Sequence, residues 1–255
     1  MIIIKSQEAL SKMRASARIL KDTFRLLEEN VKAGITTEEL DRLAYEYITR
    51  SGGRPSFLNY NGYPASICAS VDEEVVHGIP SKRRLEGGQI VGIDIGVFFE
   101  GFHTDAARTF AVGKISPEKQ KLIDVTRQCF FEGLAAVKEG ARLGDVGYRI
   151  QRYAENNGFS VVRDLVGHGI GVSMHEDPNV PNFGTLGHGI RLKEGMTLAI
   201  EPMINAGSYH VKWLGDGWTV VTCDGKPSAH YENTVVVTKE GAEILTLRRE
   251  EKADG

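Results

Sequence analysis

Residues 89–112 read QIVGIDIGVFFEGFHTDAARTFAV. Two strand-forming runs, 89–98 and 102–112, flank the break Phe99-Glu100-Gly101, the pattern of an antiparallel hairpin. Each run holds one carboxylate: Asp94 within GIDIG and Asp105 within HTDAA. A two-residue turn centred on Phe99 and Glu100 opposes Asp94 directly to Asp105 on one face of the sheet. A bulged turn using Gly101 moves that register by one. Like charges opposed across two strands destabilise the pair, and a cation between them turns the repulsion into binding. The plainer alternatives are solvation, or pairing with an arginine such as Arg108.

Outward from the hairpin, residues 6–31 space Ala9, Leu10, Met13, Ala17, Leu20, Phe24 and Leu27 at three- and four-residue intervals. That is an amphipathic helix, with Ser6 as N-cap. Thr36 or Thr37, followed by Glu38 and Glu39, opens a second helix reaching about Arg50. Ser116-Pro117-Glu118 starts a third, expected to run to about Lys138, and a fourth spans Leu143 to Asn156. Further strands are expected over 67–71, 161–165, 197–205, 218–223 and 231–238. The order helix, helix, strands, helix, helix, strands predicts an α+β fold in two similarly built halves, its largely antiparallel sheet covered by helices. No Pro/Ser-rich linker divides the chain, so one domain over 1–255 is expected, with the helical segment of about 1–55 packed on it.

The chain has 255 residues, 41% hydrophobic and 25% charged, with a net charge of -3. It can bury a large core, and its charge gives no argument for nucleic acid or membrane binding. The opening MIIIKSQEAL is too short an apolar run for a signal peptide or a membrane span. Three widely spaced cysteines, Cys68, Cys129 and Cys223, form neither a zinc pattern nor a disulfide framework. A reducing cytoplasm fits these features.

Three further residues share the setting of Asp94 and Asp105. His168 lies in GHGIG, Glu201 in TLAIEPMI and Glu232 at the head of ENTVVVT. Carboxylates in such aliphatic surroundings are costly unless paired. Four carboxylates and one imidazole suit two hard or borderline divalent ions, the composition of a dinuclear metal hydrolase. Taken singly, each has a plain alternative, His168 as a satisfied core histidine above all. His103, His188 and His210 lack such a context and are expected at the surface or in loops.

The segments NYNGYPASICASV, VVHGIP, GFHTDAARTF, GHGIGVSMHEDP, GMTLAIEPM and DGWTVVTCDGKPSAHYENTVVVT resemble the methionine aminopeptidases of type I, in peptidase family M24, from the first helices to about residue 245. The resemblance implies the pita-bread fold with pseudo-symmetric halves. It implies two divalent ions (Co, Mn, Fe or Zn), with Asp94 a ligand of one, Asp105 and Glu232 bridging both, and His168 and Glu201 completing the second. Glu201 would take the proton of the nucleophilic water. His175 would stabilise the oxyanion and His77 would contact substrate near the scissile nitrogen. Alone, His77 also reads as a turn residue before Gly78, and His175 as a cap beside Glu176 and Asp177.

The same resemblance puts Phe57, Tyr60, Tyr63, Cys68, Met174 and Trp218 around an apolar slot for a methionine side chain. Tyr60 and Tyr63 could instead simply pack a turn around Gly62 and Pro64. Met174 stands where the family commonly has Phe, His230 where it has Gln, and Asn233 where it has His. The resemblance also implies a monovalent-cation loop near Asp72 and Ser228. The implied partners are nascent chains with an N-terminal methionine, close to the ribosome, met by a minimal bacterial-style monomer. Two alternatives stand beside this reading. An Xaa-Pro peptidase on the same fold is expected to carry a sizeable extra N-terminal domain, whereas only about 55 residues precede the catalytic-looking region here. A non-catalytic binding module on the fold would be expected to have lost ligands.

Overall fold

The computed structural model describes residues 2–248; Met1 and residues 249–255, within the expected domain span, lie outside the described residues. Helix α1, Gln7–Asn30, starts where Ser6 accepts the amide N–H of Ala9. Helix α2, Thr37–Arg50, opens on a reciprocal cap in which the Thr36 hydroxyl accepts the Glu39 amide and the Glu39 carboxylate accepts the Thr36 amide. Both pack on a four-stranded antiparallel sheet. Its central strand, Ile90–Phe99, has Phe102–Ala111 on one side and Ile67–Val71 with Arg54–Pro55 along the other. Val91, Ile93 and Ile95 turn one face toward Leu20, Phe24, Leu27 and Leu40. By the two-residue alternation of a strand, Gly92, Asp94 and Gly96 face the other way.

The second half repeats the layout. Helix α3, Pro117–Leu134, and helix α4, Leu143–Asn156, lie against Ser228–His230, Met203–Asn205 and Ser160–Val161. They share a core with Leu198, Ile200, Val235 and Val237 of a five-stranded antiparallel sheet ordered Ala242–Ile244, Asn233–Val237, Thr197–Ile200, Gly167–Gly169, Glu176–Val180. Helix α3 stops four residues short of the expected Lys138. Beyond it the chain is drawn onto the sheet: the Glu139 amide bonds Thr238 and the Gly140 amide bonds Leu192. Two three-stranded sheets complete the fold, one joining Ser228–His230, Met203–Asn205 and Ser160–Val161, the other Val211–Trp213, Val220–Thr222 and Glu74–Val76. The halves meet along a seam. Ala107 and Glu232 exchange backbone hydrogen bonds, and the Thr234 hydroxyl both accepts the Asp105 amide and donates to its carbonyl.

Three strand expectations are corrected. The run expected over 161–165 pairs only at Ser160–Val161. The run expected over 197–205 breaks at Glu201-Pro202, because proline has no N–H for the ladder. The run expected from 231 begins at Asn233. Glu201 and Glu232 therefore lie at strand ends, one step past the paired residues Ile200 and Asn233.

Candidate metal centre and active-site cavity

The hairpin's actual register sets the first two carboxylates. Phe99 pairs with Phe102, so the turn is Glu100-Gly101, both with positive φ (49° and 87°), as a primed two-residue turn requires. Asp94 then pairs with Ala107, and Asp105 with Gly96. The expected direct opposition is wrong by two residues. A shift of two keeps both side chains on one face, so they become diagonal neighbours. Arg108, an odd number of positions from Asp105, points to the other face. Its guanidinium donates to the Glu232 carbonyl and to Asn233 Oδ1 and lies 4.3 Å over the Tyr231 ring.

On the second sheet, His168 Nε2 lies 3.7 Å from Asp105 Oδ2 and 3.7 Å from Glu201 Oε1. Its Nδ1 is 2.8 Å from the Gly169 carbonyl, to which it donates, leaving an Nε2 lone pair for the site. Ligand atoms of Asp105, His168 and Glu232 all lie within 4.8 Å of one another. The structure thus brings the five sequence-selected residues together from both halves.

The electrostatics are those of acids lacking a counter-charge. Asp94 Oδ1, Asp105 Oδ1 and Glu232 Oε1 are buried without a hydrogen-bond partner. Burial, then repulsion from Asp105, holds the Asp94 carboxyl well above the usual range. Burial pushes Asp105 up to about 7. Glu201 and Glu232 are also held well above their ordinary value, by burial first and then by neighbouring carboxylates. Burial pulls His168 down to about 4, so its imidazole is neutral at pH 7. Unpartnered oxygens, mutually repelling acids and a neutral imidazole fit a divalent cation centre.

A cavity of about 340 Å³ opens over these acids, and all eight residues expected to bind substrate line it with Asp94, Asp105, Glu201 and Glu232. Phe57, Tyr63, Cys68 and Met174 are buried in its wall. The Tyr63 hydroxyl donates between the Ile67 and Gly78 carbonyls (3.0 Å each), and its ring meets Trp218 edge-on at 5.1 Å. His175 lies with its ring centre 4.1 Å from that of His168, and its Nδ1 is 2.8 Å from the Tyr60 hydroxyl. Burial lowers His175 and His77 to about 4.

Other expectations need adjusting. His103 is not a loop residue: it lies in the Phe102–Ala111 strand, with Nδ1 2.8 Å from Ser56 Oγ and its ring against Phe98. His188 and His210 are exposed. Asn233 faces away from the acids, taking hydrogen bonds from Arg108 and Thr246. His230 faces toward them, its buried, unpartnered Nε2 lying 3.8 Å from Glu201 Oε2 and 3.9 Å from Glu232 Oε2. Asp72 and Ser228 are joined by a hydrogen bond from the Ser228 amide, and the Asp72 carboxylate accepts the Lys119 ammonium at 2.6 Å. Asn61 lines the cavity and was not expected there; its signal was the Asn-Gly turn, where it adopts a φ of 50°.

The model of metallopeptidase family M24 matches residues 11–239. The chain belongs to that family. Among its relatives, a methionine aminopeptidase of Clostridium perfringens is 57% identical, over 97% of this chain and 99% of the relative. The crystal structure of methionine aminopeptidase from Rickettsia prowazekii superposes with a TM-score of 0.96 at 44% identity, covering 97% of this chain and all of that one. A prolidase from Pyrococcus furiosus shares the fold alone, at 21% identity and a TM-score of 0.77, this chain spanning 66% of its length.

Proposed function

We propose that the chain removes the N-terminal methionine from nascent proteins and peptides, using two divalent ions held by Asp94, Asp105, His168, Glu201 and Glu232. The observation that carries this reading is the cluster of unpartnered buried carboxylates at the floor of a cavity with apolar walls. When bound, the ions supply a water of lowered pKa and polarise the scissile carbonyl.

The protein's own groups account for the rest. Glu201, at the cavity floor, accepts a proton from the attacking water. His175 is neutral, and in the tautomer whose Nδ1 accepts the Tyr60 hydroxyl its N–H is on Nε2, where it donates a hydrogen bond to the developing oxyanion. His77, on the same cavity, contacts the peptide near the scissile nitrogen. Tyr63, Cys68, Met174 and Trp218 shape an apolar slot that takes one unbranched side chain. The substrate's fit depends on a free amine beside the acids. No described helix is long and apolar enough to cross a membrane, and the reading places the activity in the cytoplasm, in a monomer acting near the ribosome.

Rates on Met-Ala-Ser and on Xaa-Pro peptides test the assignment. Efficient cleavage of Met-Ala-Ser supports it; efficient Xaa-Pro cleavage with Met-Ala-Ser inert replaces it with a prolidase-type activity. A metal-stripped protein that takes up no divalent ion in a calorimetric titration would instead point to a binding module.

A further inference from the structure

We propose that Lys5, on the extended segment before α1, is a positioning residue for His175. Lys5 and Glu176 form an ion pair across 171 positions of sequence, and both side chains are buried, 2% and 5% exposed. The ammonium also donates to the Ile3 carbonyl at 3.2 Å, and the Lys5 amide is fixed to the Gly195 carbonyl at 2.9 Å. The Lys5 stem crosses directly over Gly171, where an added Cβ would lie 2.3 Å from Lys5 Cε. The segment is thereby strapped onto the loop that starts at Gly171.

That loop carries Met174 and His175 into the cavity. Its internal bonds are few: the Gly171 amide bonds the Ser173 carbonyl, and the Ser173 amide bonds Glu176 Oε1. Glu176 thus closes the loop with one oxygen while Lys5 holds the other. His175 makes its side-chain hydrogen bond, to Tyr60, across the cavity. The orientation of its ring depends on where residue 176 is anchored, and Lys5 anchors it. A buried pair is a poor source of net stability, but breaking it leaves an uncompensated charge under the loop. Misplacement of a catalytic group by about 1 Å costs on the order of a hundredfold in rate.

This inference rests on the role proposed above for His175, so the test is a cycle. Lys5→Met, His175→Ala and the double variant are compared at full metal occupancy, below the melting temperature of each, on Met-Ala-Ser. Lys5→Met is expected to lower kcat about ten- to a hundredfold with KM changed less than about threefold, and to add little to His175→Ala. Glu176→Gln, which keeps the shape and an acceptor, repeats the cycle with a smaller drop and serves alone should Lys5→Met fail to fold. A kcat unchanged by Lys5→Met or Glu176→Gln overturns the inference, as does a drop that adds in full to that of His175→Ala. A His175→Ala enzyme with unchanged kcat instead overturns the role of His175 itself.

Discussion

Replacing His175 by alanine isolates one step of the chemistry from metal binding. The imidazole is held neutral, burial lowering it to about 4, so one neutral N–H is lost and no charge. His175 faces the cavity beside His168, their ring centres 4.1 Å apart, and is not one of the five residues proposed to hold the ions. A single preorganised donor to an oxyanion contributes about 2.7–4 kcal/mol, a factor of about 10² to 10³ in kcat. Tyr60→Phe should cost less. It leaves the donor in place and removes only the 2.8 Å bond between the Tyr60 hydroxyl and Nδ1, about 1 kcal/mol or roughly fivefold. Both variants are assayed for kcat and KM on Met-Ala-Ser, with bound metal measured on the same samples. A His175→Ala enzyme with normal metal content and near wild-type kcat would refute the oxyanion role. A Tyr60→Phe loss as large as that of His175→Ala would refute the division of labour between them.

Other outcomes follow from the same geometry. Glu201→Ala should abolish turnover and weaken metal binding, measured by activity and calorimetry; retained turnover contradicts its place at the site. Metal affinity should fall as pH drops below 7, about tenfold per unit for each proton displaced. Asp105 is raised to about 7 and Asp94, Glu201 and Glu232 well above normal, so the ion must displace protons. An affinity flat between pH 6 and 7.5 contradicts this. The same shifts make the stripped fold bind protons more tightly than the unfolded chain, so its stability should fall as pH rises from 6.5 through 7. Below 6.5 the lowered histidines, His77, His103, His168 and His175 at about 4 and His230 at about 3, act in the opposite sense, the unfolded chain taking up the extra protons. Denaturant titrations at pH 6.5 and 8, with and without saturating Mn, read the difference; no metal-dependent change in the slope would count against it. His230→Gln should alter divalent affinity without changing the melting temperature of the stripped protein much, because His230 Nε2 lies at 3.8 Å from Glu201 and 3.9 Å from Glu232 and is without a hydrogen-bond partner among the described residues.

Much of this fold is written locally. Ser6, Thr36 with Glu39, and Ser116 with Pro117 mark helix starts by satisfying first-turn amides, and all three act where expected. Asp94 and Asp105 are legible because strand alternation puts carboxylates on the face away from Val91, Ile93 and Ile95. Their register was misread because Glu100, and not only Gly101, takes the left-handed conformation; a non-glycine at positive φ leaves little trace in composition. Pro202 ends the Thr197 strand because it has no N–H for the ladder, whereas the end of α3 has a different cause. Partners such as Thr238 and Leu192 lie far along the chain, and long-range pairing has no period to reveal it. The seam joining Ala107 to Glu232, and the strap of Lys5 on Glu176, were invisible for the same reason. The aromatic and histidine residues of the cavity are legible through motif resemblance and carry no pattern of their own.

The central claim is that five side chains from two half-folds hold the ions that make peptide-bond cleavage possible. The most direct test is to strip the protein of metal and add back Mn or Co stepwise, following bound ion and Met-Ala-Ser cleavage together. The account predicts no cleavage without metal, recovery in step with occupancy, and loss of both uptake and recovery in Asp105→Asn. Undiminished cleavage by the stripped protein, or normal uptake by Asp105→Asn, would contradict it.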